Sequence, residues 1–294
     1  MLGSRSDAGA VEHVYRGEDS VAHFATERRF VAEQYSDAAK LRIRIQTHER
    51  FSEGTETFVG DVLDALGLAS GQSLLDVGCG DGSWHPRVVA HGVSIVGVDL
   101  MAGMLREASA RGAQLLPCPA LAQADAQALP FTGHLFDRAL CCGVLYHVPD
   151  RAQALREMRR VLRPGGRAVI STNGAYAMRR IYELHGHAAR QLGYEPLPLV
   201  AGHFTMDDLP LVRSVFPAAE RHVLEGALAF PTAEPALRFY ATSRIDAIQD
   251  RPADGSHRAR LLPLVRDQIE AIIAAEGVFR VPKSVGWFVA DVSV

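Results

Sequence analysis

Ser73-Leu74-Leu75-Asp76-Val77-Gly78-Cys79-Gly80-Asp81-Gly82-Ser83 reads as a short buried strand running straight into a turn. An apolar pair precedes an acid, and three glycines then follow at alternate positions. Glycine has no Cβ and tolerates positive φ, so a ligand can lie against the peptide planes of such a turn. Asp76, at the strand end, can accept hydrogen bonds from a ligand amine or hydroxyl. A phosphate cradle calls instead for a lysine or for free N–H groups at a helix N-terminus. With Asp76 and Asp81 flanking the glycines, the turn suits a cationic guest.

The spacing separates two nucleotide readings. A dinucleotide fingerprint places its third glycine three residues after the second. Here position 83 is Ser and the third glycine sits at 82, one residue early, which disfavours an NAD oxidoreductase.

Outward from the turn, strand and helix patterns alternate from Ser73 to Thr172. Strands are predicted over Ser73–Val77, Ser94–Val98, part of Leu115–Ala124, Phe136–Cys142 and Arg167–Ser171, with Pro164-Gly165-Gly166 as a turn before the last. Such alternation implies a parallel sheet with helices on both faces. Beyond Asn173, Thr205 is placed to cap a helix over Met206–Val215, and strands are expected over Arg221–Leu228 and Trp287–Val292. Residues 235–250 and 257–276 read as helices between those two strands. The expected organisation is an N-terminal helical segment (1–60), a core (61–230), a helical cap (231–283) and a last core strand (284–294).

Three further segments carry chemistry. Asp99 ends the second strand, where ligands bind in an open α/β sheet, and an acid there can accept both hydroxyls of a ribose. Ala124-Asp125-Ala126-Gln127-Ala128-Leu129-Pro130-Phe131 comes next. The fourth strand then exits through Cys142-Gly143-Val144-Leu145-Tyr146-His147-Val148-Pro149-Asp150, and Leu162-Arg163-Pro164-Gly165-Gly166 follows. Taken in order with the glycine turn, these segments resemble the class I S-adenosylmethionine (SAM) methyltransferases, small-molecule branch, with motifs of the menaquinone/ubiquinone-biosynthesis type. The stretch from Gly112 to Asp125, with Pro117 and Pro119, is longer than that pattern.

The resemblance implies a Rossmann-like, seven-stranded, mostly parallel α/β sheet, with SAM as cofactor and S-adenosylhomocysteine as product. It implies cofactor-binding roles for Asp76, Gly78, Cys79, Gly80, Asp99, Leu100, Met104, Asp125, Ala126 and Cys142. Asp125 would accept the adenine amine, the Ala126 N–H would face the same ring, and Cys142 would lie beside the methionine moiety.

A methyl on a sulfonium already has an excellent leaving group, so the protein has mainly to align the acceptor and exclude water. A base is needed only for an acceptor that keeps its proton, such as an alcohol, phenol or indole carbon. His147 is the candidate base, against a packing role under the site, and Tyr146 is the candidate to orient substrate. His203 could face the pocket or solvent, His85 packs its helix, and His185-Gly186-His187 reads as a solvated helix face rather than a metal site. No acid triad is evident, so no metal is expected. Tyr15, Phe24, Phe30 and Tyr35 could form a lid, or a helix packed on the core or at a homodimer interface. Arg42, Arg44 and Arg50 could bind an anionic substrate or remain solvated.

A net charge of −3 with dispersed basic residues gives no nucleic-acid footprint. No apolar run approaches a membrane span, the N-terminus lacks a signal-peptide core, and the four cysteines form no Cys-x-x-Cys pair. A cytoplasmic protein is expected. The reading is therefore methyl transfer to O, N or C of a small molecule, a specialised metabolite. The alternatives are a SAM-binding cyclase or regulatory module, and a nucleic-acid methyltransferase.

Overall fold

The computed structural model describes residues 26, 28–36, 38–197, 203–242 and 244–293. Tyr15 and Phe24 lie outside these, as does the Phe30 side chain.

Two helices, α1 (Arg28–Tyr35) and α2 (Ala39–Phe51), come first, followed by the two-residue strand β1 (Ser52–Glu53) and α3 (Phe58–Leu66). The alternating unit is β2 (Ser73–Val77), α4 (His85–Val89), β3 (Ser94–Asp99), α5 (Ala102–Gly112), β4 (Ala120–Gln123), β5 (Phe136–Cys142), α6 (Arg151–Val161) and β6 (Leu162–Asn173). Then come α7 (Arg179–Gln191), α8 (Leu209–Val215), β7 (Glu220–Phe230), α9 (Ala233–Tyr240), α10 (Ser256–Glu276) and β8 (Phe279–Asp291).

The sheet order is β1-β7-β8-β6-β5-β2-β3-β4. Strands β2 to β6 pair in parallel, and β8 runs antiparallel to both β6 and β7. Seven strands match the expectation; the eighth is Ser52–Glu53, which pairs antiparallel with Leu228 and Ala227 at the edge.

Period-two alternation assigns neighbouring residues of one strand to opposite faces. Ile170 and Ala139 pack with Leu155 and Met158 of α6 and Val212 of α8, whereas Val169 and Leu140 pack with Val62 and Leu66 of α3 and Val88 of α4. A separate core joins α7, α9 and α10 to Leu228 and Phe230 of β7 and Phe279 and Val281 of β8. The β7–β8 ribbon therefore extends past the sheet and carries helices around its far end. Loops that leave β2, β3 and β5 converge near that end, which is where a parallel sheet binds ligands.

Besides the helix read over 235–250, which stops at Tyr240, four local details differ from the sequence reading. β6 begins at Leu162, because Phe136 pairs with Leu162 before Arg138 resumes with Arg167; Arg163-Pro164-Gly165-Gly166 is a bulge inside the strand. Thr205 caps no helix: the Asp208 carboxylate accepts its N–H at 2.7 Å, and α8 starts at Leu209. β8 starts at Phe279 rather than at 284, since its ladder with β7 runs on to pair Phe279 with Phe230.

His185 is the fourth. It is fully buried, not on a solvated face, while His187 is exposed. The Ala247 carbonyl can only accept, so His185 Nε2 donates to it (2.9 Å) and Nδ1 accepts from the Tyr240 hydroxyl (2.8 Å). Burial, reinforced by the Arg244 charge, pushes the His185 pKa down to about 4. A folded-state value below the unfolded 6.5 means the unfolded chain takes up the proton first, so stability is lost as pH falls from 6.5 towards 4. This histidine should cost about 2 kcal/mol between pH 7 and pH 5. Urea denaturation of the wild type and His185→Gln at both pH values checks it; an identical pH loss in the variant would show that other groups are responsible.

Candidate active site

The glycine turn is held by its own backbone. Gly78 N–H and Cys79 N–H both donate to the Val98 carbonyl (2.7 and 2.9 Å), and Gly80 N–H donates to Asp99 Oδ2 (2.9 Å). Gly82 N–H goes to the Cys79 carbonyl at 3.0 Å and Ser83 N–H to Asp81 Oδ1 at 3.2 Å. A phosphate nest needs such N–H groups free. This turn presents peptide faces and acids instead. Gly78 has φ +71°, and a Cβ there would come within 2.3 Å of Val144, so the β5 exit sits directly against the turn.

The acids divide by partner. Asp76 is buried and held by His85 Nε2 at 3.1 Å, which gives His85 a positioning role. Asp81 is equally buried, but Arg111 pairs with it at 2.7 Å. It is neutralised locally, so the expected pair of acids for a cationic guest reduces to Asp76. Asp99 uses each oxygen once, accepting Gly80 N–H on Oδ2 and Met101 N–H on Oδ1 (2.8 Å). An ionised carboxylate has about four acceptor sites, so capacity for two hydroxyls remains. Desolvation pushes its pKa up despite those N–H bonds.

Asp125 stands next to this acid, because Ala124 N–H donates to the Asp99 carbonyl at 3.1 Å. Its carboxylate is oriented by the backbone and side-chain N–H groups of Gln127 (2.9 and 3.0 Å). Ala126 packs against the core beside it. The long approach from Gly112 does not disturb the register, since β4 pairs Gln123 with Asp99. Leu100 is partly exposed and its carbonyl accepts from Gln123, whereas Met104 is sealed inside α5. Cys79 is buried; the half-buried Cys142 thiol is pushed up to about 12 by desolvation, against a hydrogen bond with Ser171.

The N-terminal helices cross this region. Leu41 of α2 lies 3.3 Å from where a Gly80 Cβ would stand, and the Ser36 carbonyl 2.2 Å from that of Gly103. Tyr35 reaches furthest in: its hydroxyl is 3.0 Å from His147 Nε2, and the two rings meet edge to face at 5.3 Å. Tyr146 stacks edge-on to His147 at 4.4 Å, and burial, with Tyr35 alongside, pushes its phenol well above the ordinary range. His203 is half-buried, and desolvation with the charges of Arg244 and Arg151 lowers its pKa. Tyr35, Tyr146 and His147 thus meet at the β5 exit.

Three residues without a sequence signal have partners of their own in the fold: Arg244 lies over the Tyr182 ring at 4.0 Å, the buried Lys283 donates to the Ser52 hydroxyl at 2.9 Å, and His48 meets Phe239 at 5.7 Å. An open cleft of about 440 Å³ lies on the outer side of the turn, between α2 and α4. Arg42, Glu49, Ser83 and Arg111 line it and Asp99, Cys142 and His147 do not, so it is not where the candidate reacting groups converge. Among the described residues, no cluster of three or more His, Cys, Asp or Glu side chains could hold a metal, and no helix is long and apolar enough to cross a membrane.

A family model described as a methyltransferase domain matches residues 75–170. An O-methyltransferase, resE, of Aspergillus sclerotiorum is 34% identical over 128 residues, covering 42% of this chain and 48% of that protein. A demethylmenaquinone methyltransferase of Renibacterium salmoninarum is 36% identical over 110 residues, covering 37% of this chain and 45% of that protein. The chain therefore spans less than half the length of these curated relatives. Among solved structures, the [4+2]-cyclase SpnF superposes with a TM-score of 0.51 at 20% identity, over 81% of each chain. At that identity the likeness is one of fold.

Proposed function

Residues 75–170 are a class I SAM-dependent methyltransferase domain, and from that premise we propose that the whole chain moves a methyl group from SAM to a small molecule. The observation that carries this is the glycine turn. Its N–H groups are spent internally, and the acids Asp76, Asp99 and Asp125 remain at the strand ends. That donor-poor, acid-rich set fits a nucleoside attached to a cationic amino acid better than a pyrophosphate.

When bound, SAM supplies an electrophilic methyl on sulfur. Asp99 accepts the ribose hydroxyls, and Asp125 with the Ala126 N–H takes the adenine edge. Gly78, Cys79, Gly80, Leu100 and Cys142 shape the walls around the nucleoside and methionine portions, and Met104 packs behind them from α5. His147 removes the acceptor's proton, Tyr146 orients the acceptor, and Tyr35 brings α1 over both. Tyr35 and His203 bound the substrate side, and helices 231–278 form its cap. No basic stripe serves a nucleic acid, and four free cysteines suit a reducing cytoplasm.

The test is transfer of labelled methyl from SAM into a metabolite pool, beside calorimetric binding of S-adenosylhomocysteine. Label appearing in a small-molecule product is expected. Binding without label in any product would favour the cyclase or regulatory alternative, and binding of NAD instead would overturn the reading.

A further inference from the structure

One side chain links Asp125 to the β5 exit. Gln127, half-buried in the loop after β4, gives Asp125 Oδ1 two hydrogen bonds, from its backbone N–H (2.9 Å) and from its side-chain Nε2 (3.0 Å). The other end of the same amide, Oε1, accepts the Asp150 N–H at 2.9 Å. A carboxylate can only accept and a backbone N–H can only donate, so the partners fix which end of the amide faces which. Asp150 follows His147 after Val148 and Pro149, and the proline ring stiffens the backbone between them. Asp150 also caps α6 by accepting the Gln153 N–H at 2.8 Å.

The rest of this loop is fixed from α6. Gln153 Nε2 reaches the Gln127 carbonyl at 3.4 Å, and Glu157 Oε2 accepts the Leu129 N–H at 2.8 Å. Arg160 donates to the Leu129 and Phe131 carbonyls at 3.1 and 2.7 Å. Gln153, Glu157 and Arg160 share one face of α6 by helical spacing. With the loop backbone held in this way, the Gln127 side chain carries a contact made at Asp125 on to the turn after β5.

Resting on the methyltransferase reading, we propose that Gln127 is a positioning residue: it aims the Asp125 carboxylate at the exocyclic amine of the adenine and passes engagement of that amine to the turn that bears His147. The role needs an amide. Glutamate would keep an acceptor for the Asp150 N–H, lose the donor, and set a second carboxylate against Asp125. Methionine would fill similar space with neither a donor nor a comparable acceptor.

The probes are S-adenosylhomocysteine and its analogue lacking the exocyclic amine, titrated by calorimetry. Wild type should bind S-adenosylhomocysteine at least about tenfold tighter than the analogue, a difference of about 1.4 kcal/mol. Gln127→Met should bring the two ligands within about threefold. Gln127→Glu should do the same at pH 8 and recover most of the preference at pH 5, where a proton shared by the facing carboxylates restores a donor. Any loss of charge at Asp99 cancels from the ratio, because both ligands carry the same ribose. The wild type has the same neighbouring charged and titratable groups, Asp150 with Arg156, Glu157 with Arg160, and His147, and should keep its ratio over that range. At saturation, S-adenosylhomocysteine should slow amide hydrogen exchange over residues 144–150 of the wild type at least about threefold more than the analogue does, and no more than the analogue in Gln127→Met. The proposal is overturned if the wild type shows no amine preference, if Gln127→Met keeps it, if Gln127→Glu is indifferent to pH, or if exchange over 144–150 answers the amine equally in wild type and Gln127→Met. Gln127→Glu decides alone if Gln127→Met does not fold. Failure of S-adenosylhomocysteine to bind the wild type would count against the methyltransferase reading instead.

Discussion

Asp99→Ala should weaken binding of S-adenosylhomocysteine by at least about 100-fold. Hydrogen bonds to a charged group contribute about 1.5–3 kcal/mol each, and two ribose hydroxyls would lose theirs together. The same substitution strips the acceptor from Gly80 N–H and Met101 N–H, so the turn that faces the ligand loses its anchor to β3. Asp99→Asn removes the charge but keeps one carbonyl oxygen for one of the two N–H groups, its NH2 standing where the other N–H had an acceptor, so it loses only part of the anchor. It should fall between wild type and Asp99→Ala. The wild-type affinity should also decline on acidification sooner than for an ordinary carboxylate. Burial pushes the Asp99 pKa up, and the protonated acid is the poorer acceptor. Calorimetry at pH 7 and pH 5 reads both effects; an Asp99→Ala affinity within about threefold of wild type would remove this acid from the site.

The parts of this arrangement that were legible in the sequence depend on chain-local signals. Strand ends announce themselves through apolar runs that stop at an acid, which is how Asp76 and Asp99 could be placed before any coordinates. The sheet's parallel half followed from alternation, and its antiparallel edge from two late strands. What was illegible depends on pairing between distant residues. Nothing in Asp81-Gly82 indicates that Arg111, a helix away, neutralises the acid. His185-Gly186-His187 looks symmetrical in sequence, yet one turn face points at Tyr240 and the other at solvent. Arg244 and Lys283 are ordinary basic residues on paper. Only the fold shows Lys283 buried beside the Ser52 hydroxyl and Arg244 lying over the Tyr182 ring.

His147→Ala should lower turnover by about 10²–10⁴-fold while leaving S-adenosylhomocysteine affinity within about threefold of wild type. The size of the effect follows from the acceptor: a phenol or alcohol holds its proton at neutral pH, so without a base only its ionised fraction reacts. Location supports the split between the two readouts. His147 stands past β5, against Tyr146 and Tyr35, whereas the proposed nucleoside contacts are at Asp99 and Asp125. The 3.0 Å contact with the Tyr35 hydroxyl ties the ring to α1, so the base is oriented when that helix lies across the site. Tyr35→Phe should therefore reduce turnover less than His147→Ala and narrow no further when combined with it, because both substitutions act on one imidazole. Unchanged turnover in His147→Ala would return this histidine to a packing role. In that case the acceptor needs no proton removed before attack, as with a neutral amine or a group already ionised in solution.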